Sequence, residues 1–318
     1  MVEPVPVDRY DVHAAAPYTA VLPQLTNGQV ALALPVIGDL VLARRLERGE
    51  EWRLEVAPPG ALPELTDADN AVLRAARMLA DGTGARLSLR LEKGLGIGTG
   101  LGSAATAAMA ATVATNAVLR LGADAPILRA TARAAALGCS ARSLDIHVEA
   151  AARGSITIVS DDRPVRAVKL RAPVAVAVIL PELDEARGPK RGAGALEGLD
   201  GRCEDAARAL AEGDTDVLGR WHAAQREQWL AAGLDYLVDC ADEAVRAGAW
   251  ALIAVRGGPA LLSFSSPQQI PLVRSRLVDR LGEHGVWTRA RAGILPGPPA
   301  RCLDERDLAA GPHCAGGS

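Results

Sequence analysis

The stretch Gly94-Leu-Gly-Ile-Gly-Thr-Gly-Leu-Gly-Ser-Ala-Ala-Thr106 puts glycine at every second position from 94 to 102 and closes on two hydroxyls. That pattern suits gripping phosphate by backbone. Glycine permits positive φ and lets the main chain approach a ligand closely. A helix that starts after the last glycine offers unpaired N–H groups and a positive dipole end, both suited to phosphate or pyrophosphate. Ser103 and Thr106 add hydroxyl donors or cap that helix. The stretch is neither a Walker A loop, which needs Gly-Lys-Ser/Thr, nor a dinucleotide fingerprint closing an N-terminal βαβ unit. A glycine turn followed by a capping serine is the purely structural alternative.

Such a loop needs a strand before it and a helix after it. Residues 86–91 (Arg-Leu-Ser-Leu-Arg-Leu) alternate at period two, and the Ala-rich run 104–119 has helical character. Strands are also expected at 30–36, 40–43, 52–56, 155–159, 165–170, 174–180, 251–255 and 260–264. Helices are expected at 66–79, 125–137, 204–210, 215–229, 237–247 and 272–281. The tail from Pro296 carries four prolines, ends in glycines, and reads as loose. The expected organisation is α+β in two lobes: residues 1–175 with the loop, 176–300 as a C-terminal α+β lobe, and 301–318 as a flexible tail.

Composition narrows the function. The 318 residues carry 35 Lys plus Arg against 38 Asp plus Glu, a net charge of −3, so no basic excess points to nucleic acid. Aromatics are scarce, with five Trp, three Tyr and one Phe, which disfavours stacking on bases. Cys139, Cys203, Cys240, Cys302 and Cys314 form no CxxC pair and no metal-ligand spacing, as in a reducing compartment. The first twenty residues show no targeting pattern, and no eighteen-residue apolar run occurs. A soluble, cytoplasmic protein with no membrane partner is expected.

Three stretches resemble one superfamily, the GHMP kinases (galactose, homoserine, mevalonate and phosphomevalonate kinases and relatives). Gly100-Leu-Gly-Ser-Ala-Ala-Thr106 resembles its phosphate loop. Val255-Arg-Gly-Gly-Pro-Ala-Leu-Leu262 resembles its third motif, and Asn27-Gly-Gln-Val-Ala-Leu-Ala-Leu-Pro35 sits where its N-terminal strand lies. The resemblance implies a two-lobed fold with a ribosomal protein S5-like N-terminal lobe, a ferredoxin-like C-terminal lobe and the loop in the cleft. It also implies a homodimer.

The chain departs from the kinases of that superfamily at three points. They carry two consecutive loop serines, whereas Ala104 follows Ser103. They carry a metal-binding Glu on the next helix, whereas residues 130–137 hold no acid. Homoserine kinases carry His-x-Asp-Asn, whereas Ser143-Leu-Asp145-Ile146 stands here. The run Ala136-Leu-Gly138, Arg142-Ser143, Ile146-His-Val148, Arg153-Gly154 and Asp161 resembles instead the β-ribofuranosylaminobenzene 5′-phosphate synthases and related C-nucleoside synthases. These use phosphoribosyl pyrophosphate (PRPP) and join ribose C1 to a ring carbon of an aromatic carboxylate, losing pyrophosphate and CO₂.

On that resemblance, Gly98, Thr99, Gly100, Leu101, Gly102, Ser103, Ala104 and Thr106 hold phosphate. Arg142, Ser143, Arg187, Lys190, Arg191 and Arg256, with Gly257 and Gly258, face donor phosphates or the acceptor carboxylate. Asp145 stabilises the ribosyl cation or orients the acceptor, and His147 relays a proton, with Arg142 beside them. PRPP is the co-substrate, with Mg²⁺ as a candidate metal. The competing reading is an ATP-Mg²⁺-dependent kinase of homoserine-kinase type, in which Asp145 meets the acceptor hydroxyl. The third is a relative that binds a phosphorylated ligand without turnover. In every reading a surface charge is the plain alternative for each Arg and Lys.

Overall fold

The computed structural model describes residues 10–23, 25–57, 70–95, 99–137, 145–160, 163–182, 202–304 and 307. The apolar runs at 30–36 and 40–43 belong to one strand, β2 (Gly28–Arg45), eighteen residues long. It lies antiparallel to β1 (Val12–Val21), which the sequence pattern does not announce. The Ala-rich β1 segment, interrupted by Pro17, has little β-propensity of its own, so it is a strand through its tertiary pairing. The register between β1 and β2 shifts between Pro17 and Thr19. β4 (Leu87–Glu92) pairs with the second half of β2, and β3 (Arg53–Ala57) runs parallel to β4. β5 (Ile156–Ser160) pairs with the first half of β2 and carries β6 (Arg163–Val168).

Four helices cover this sheet: α1 (Ala71–Leu79), α2 (Ser103–Leu119), α3 (Ala125–Leu137) and α4 (Asp145–Arg153). Asn70 Oδ1 caps α1 by accepting the Val72 N–H at 2.9 Å. The earlier part of the helix expected over 66–79 lies outside the described residues. The α4 helix was not anticipated as an element. The central helix is α2, which packs against β1, β2, α1, α3 and α4. Ala105, Ala107, Ala108, Ala110, Ala111 and Ala114 are all buried along it. Alanine has the highest helix propensity and the smallest side chain that still has one. A helix made of it holds together while letting neighbours approach on every side, and this is where the aromatic-poor composition is spent.

The second sheet contains β7 (Ala175–Glu182), β8 (Ala251–Ala254), β9 (Leu261–Ser265) and β10 (Trp287–Ile294) in the order β10-β7-β9-β8, all antiparallel. With α5 (Cys203–Glu212), α6 (Thr215–Ala231) and α7 (Asp235–Arg246) between β7 and β8, and α8 (Ile270–Glu283) before β10, this is the expected ferredoxin-like order. The β8 edge is closed by side chains of α6. His222 Nδ1 accepts from the Leu252 N–H and Gln225 Oε1 from the Ala254 N–H, each at 3.2 Å. The two lobes share one core, in which Tyr18, Leu32 and Leu101 join Val176, Val178 and Phe264.

Residues 301–304, expected within a loose tail, are tied to the first sheet. β11 (Arg301–Cys302) pairs with β1, and Leu303 N–H donates to the His13 carbonyl at 2.8 Å. Just before β11, the Gly297 and Ala300 amides between and after the prolines donate to the Ala33 and Ala151 carbonyls, each at 2.9 Å. Among the described residues no helix is long and apolar enough to cross a membrane. Ala108 is fully buried, so Ala108→Leu is expected to destabilise by about 1–3 kcal/mol, the cost of overpacking a close-packed core, read by chemical denaturation. An unchanged midpoint would show slack around α2.

Candidate active site

The glycine stretch does lie between a strand and a helix, joining β4 to α2. Gly102 is the residue before α2 and holds φ of 65°. A Cβ there would lie 2.4 Å from His147 Nδ1 and 2.6 Å from Thr19 Oγ1. Gly100, at φ of 82°, would meet the Gly258 amide at 2.7 Å. From the opposite side, a Cβ on Gly258 would meet the Thr99 carbonyl at 2.2 Å. Only glycine fits these positions, because the Thr19 side chain from β1, the His147 side chain from α4 and the backbone of the 256–259 turn close on the loop. The shift in register at Pro17 frees the Thr19 N–H to donate to the Leu101 carbonyl at 3.2 Å. Thr106 Oγ1 donates to the Pro17 carbonyl at 3.2 Å. Helix geometry leaves the first amides of α2 without intrahelical partners, at the positive end of a buried dipole. Thr99 Oγ1 is buried with no hydrogen-bond partner among the described residues.

Directly beside the loop stands a polar cluster that the sequence reading missed. The Lys93 ammonium lies 2.7 Å from Asp39 Oδ2 and 2.6 Å from Ser103 Oγ. Both partners of the ion pair are buried, Lys93 at 2% and Asp39 at 0% side-chain exposure. Tyr18 donates its hydroxyl proton to Asp39 Oδ1, and the Gly94 N–H donates to the same oxygen at 3.3 Å. The Tyr18 oxygen in turn accepts from the Leu95 N–H at 3.0 Å. Burial pushes the Asp39 carboxyl up, and the Lys93 ammonium, the Tyr18 hydroxyl and the Gly94 amide oppose that push. Three converging donors are what an ionised carboxylate requires. The signals were an aspartate inside the apolar strand run 36–42 and a lysine immediately before the first loop glycine.

His147 and Asp145 sit at the start of α4. His147 is partly buried, with Nδ1 2.7 Å from Thr19 Oγ1. Burial lowers its pKa from 6.5 to about 4, with the Thr19 contact acting the other way. The imidazole is therefore neutral at physiological pH and offers a hydrogen bond, not a positive charge. Asp145 is exposed, and its Oδ1 lies 2.9 Å from Arg133 Nε. The next acid on α4, Glu149, is buried among Arg129, Arg133 and Arg153 at 3.1, 3.1 and 2.9 Å. Those three guanidiniums compensate a carboxylate that would otherwise be costly to bury.

Of the other anticipated residues, Leu101 is buried beneath the loop and Ala104 stands beside Ser103 in the first turn of α2. Arg256 and Gly257 are exposed on the turn whose Gly258 touches the loop, and Arg256 N–H donates to the Val21 carbonyl at 3.0 Å. Gly98, Arg142, Ser143, Arg187, Lys190 and Arg191 lie outside the described residues. A surface hollow of about 580 Å³ lined by Trp52, Arg77 and Arg86 contains none of the anticipated residues.

Residues 70–148 match the family described as GHMP kinases N terminal domain. This segment is a GHMP kinase N-terminal domain. Solved structures share the fold over about nine-tenths of the chain. Homoserine kinase from Cytophaga hutchinsonii is similar with a TM-score of 0.73 at 17% identity, covering 92% of this chain and 97% of that one. Mevalonate kinase from methicillin-resistant Staphylococcus aureus gives 0.65 at 16%, covering 90% and 99%. Mevalonate pyrophosphate decarboxylase from Streptococcus pyogenes gives 0.63 at 10%, covering 91% and 97%. No curated protein matches in sequence. At these identities the likeness is one of fold, and the names attached to the GHMP fold already span kinases and a decarboxylase.

The Mg²⁺ expected with a GHMP kinase finds a poor donor set among the described residues. Asp39 is held by Lys93 and Tyr18, Glu149 by three arginines, and Ser103 Oγ by the Lys93 ammonium. No group of three His, Cys, Asp or Glu side chains able to hold a metal occurs among the described residues.

The His147 shift gives a pH prediction. Between about pH 6.5 and 4 the unfolded chain binds a proton at His147 that the folded chain refuses. Stability from this group is present above pH 6.5 and is lost as pH falls toward 4, by up to about 3 kcal/mol. Wild type should lose more melting temperature than His147→Asn on going from pH 7 to pH 4.5. Equal losses would mean that the imidazole is not excluded from protonation.

Proposed function

We propose that this GHMP-domain protein is a transferase that takes a phosphate-bearing donor at the head of α2 and a small-molecule acceptor beside α4, with ATP as the donor. The observation that carries the reading is the loop itself. Gly100 and Gly102 hold positive φ and are closed in by Thr19, His147 and Gly258, at the head of α2 in a chain that follows a homoserine kinase fold over 92% of its length. In phosphoryl transfer the acceptor oxygen bonds to the γ-phosphorus, the P–O bond to ADP breaks, and the acceptor proton passes to the Asp145 carboxylate. Loop amides and the Ser103 hydroxyl hold the charge that develops on the phosphoryl oxygens. Arg133 fixes the position of Asp145, and neutral His147 donates one hydrogen bond without attracting the donor by charge.

One observation favours PRPP-dependent C-ribosyl transfer as the second reading. Each described carboxylate near the loop is committed to a basic partner, and Ala104 replaces the second loop serine. In that reaction the ring carbon bearing the carboxylate bonds to ribose C1. The C1–O bond to pyrophosphate breaks, and the C–CO₂ bond electrons return to the ring.

The two separate by products. Supplied with ATP and small amino alcohols, the protein is expected to release ADP in an acceptor-dependent manner, with kcat reduced at least about 100-fold in Asp145→Asn. Release of pyrophosphate and CO₂ from PRPP plus an aromatic dicarboxylate, without ADP formation, would replace the first reading with the second. Turnover unaffected by Asp145→Asn would remove that residue from the chemistry.

A further inference from the structure

The buried ion pair has a consequence for how the loop takes its ligand. Ser103 is the loop hydroxyl nearest the open α2 amides, and an oxygen there has two uses. It can give lone pairs to a hard cation, or it can give its proton to an anion. The Lys93 ammonium, 2.6 Å away, already occupies one lone-pair direction. A divalent cation on the remaining lone pair would share a single oxygen with a fixed positive charge. The ammonium cannot withdraw easily, because it is 2% exposed, bonded to a fully buried carboxylate, and seated 5.4 Å from the Tyr18 ring centroid. With its lone pair taken, Ser103 directs its own O–H outward, as a donor to phosphate.

We propose that Lys93 is a positioning residue that holds Ser103 as an anion donor and keeps divalent metal off the loop, so that polyphosphate binds here without a metal ion. The Asp39 and Tyr18 contacts serve this arrangement by fixing the ammonium; Asp39 also neutralises it, so ligand attraction comes from the α2 amides and Ser103. The inference rests on the reading that the loop binds a phosphate-bearing donor.

Calorimetric titration of the full chain with ATP, PRPP and inorganic pyrophosphate, once in EDTA and once in excess MgCl₂, tests it. At least one of the three should bind in EDTA with a Kd within about threefold of the value in MgCl₂. Ser103→Ala should weaken that ligand by about tenfold or more in both buffers alike, since a lost donor does not depend on metal. In the paired variant Lys93→Met/Asp39→Asn, which leaves no unpartnered buried charge, affinity in EDTA should fall while dependence on Mg²⁺ appears. Circular dichroism confirms folding of each variant. Binding that drops tenfold or more in EDTA, with Ser103→Ala harmful only when Mg²⁺ is present, would overturn the inference and leave the loop reading standing. No binding of any of the three in either buffer would overturn the loop reading, and the inference with it.

Discussion

A carboxylate placed in the middle of a buried strand must find positive charge and donors, and everything at the head of α2 follows from how Asp39 does so. Its ammonium partner comes from Lys93, the residue that follows β4 and leads into the loop. Its other donors come from Tyr18 on β1 and from the Gly94 amide. Strand, loop entry and neighbouring strand are thus tied at one point. Removing one partner alone would leave a buried charge uncompensated, which is far costlier than the pair is stabilising. The loop's entry at Gly94 inherits its position from that constraint, and Ser103 inherits its orientation.

The second constraint is space. The Thr19 and His147 side chains close on Gly102, and the backbones at Gly100 and Gly258 close on one another, so none of the three glycines has room for a Cβ. Small side chains along α2 let that helix sit against two strands and three helices at once. Close approach puts unpaired amides and a helix dipole in a shielded setting, where their field is least screened. The aromatic-poor composition and the phosphate cradle are therefore two views of one packing solution.

Much of this was legible in the residues. The strand–loop–helix order around the glycines and α3 follow from periodicity and turn chemistry, and the ferredoxin-like order of the C-terminal lobe was implied by the superfamily resemblance. Their residues have local preferences that agree with their final state. What was not legible depends on tertiary pairing. β1 is a strand because β2 and β11 pair with it, although its alanines and Pro17 argue otherwise. Lys93, Asp39 and Tyr18 lie 54 and 75 positions apart counted from Lys93, and no spacing rule joins them. Asp145 and His147 were found through a motif resemblance, and the structure adds that one is exposed beside Arg133 while the other is partly buried and uncharged.

The central claim is that the loop grips phosphate through α2 amides and a Ser103 hydroxyl pointed outward by Lys93. A crystal structure with ATP or pyrophosphate bound in the presence of EDTA tests it most directly. The account predicts phosphate oxygens about 3 Å from Ser103 Oγ and from amides of the first turn of α2, with the Lys93 contact to Ser103 intact. Phosphate seated away from the first turn of α2, or Lys93 displaced from Ser103, would contradict it.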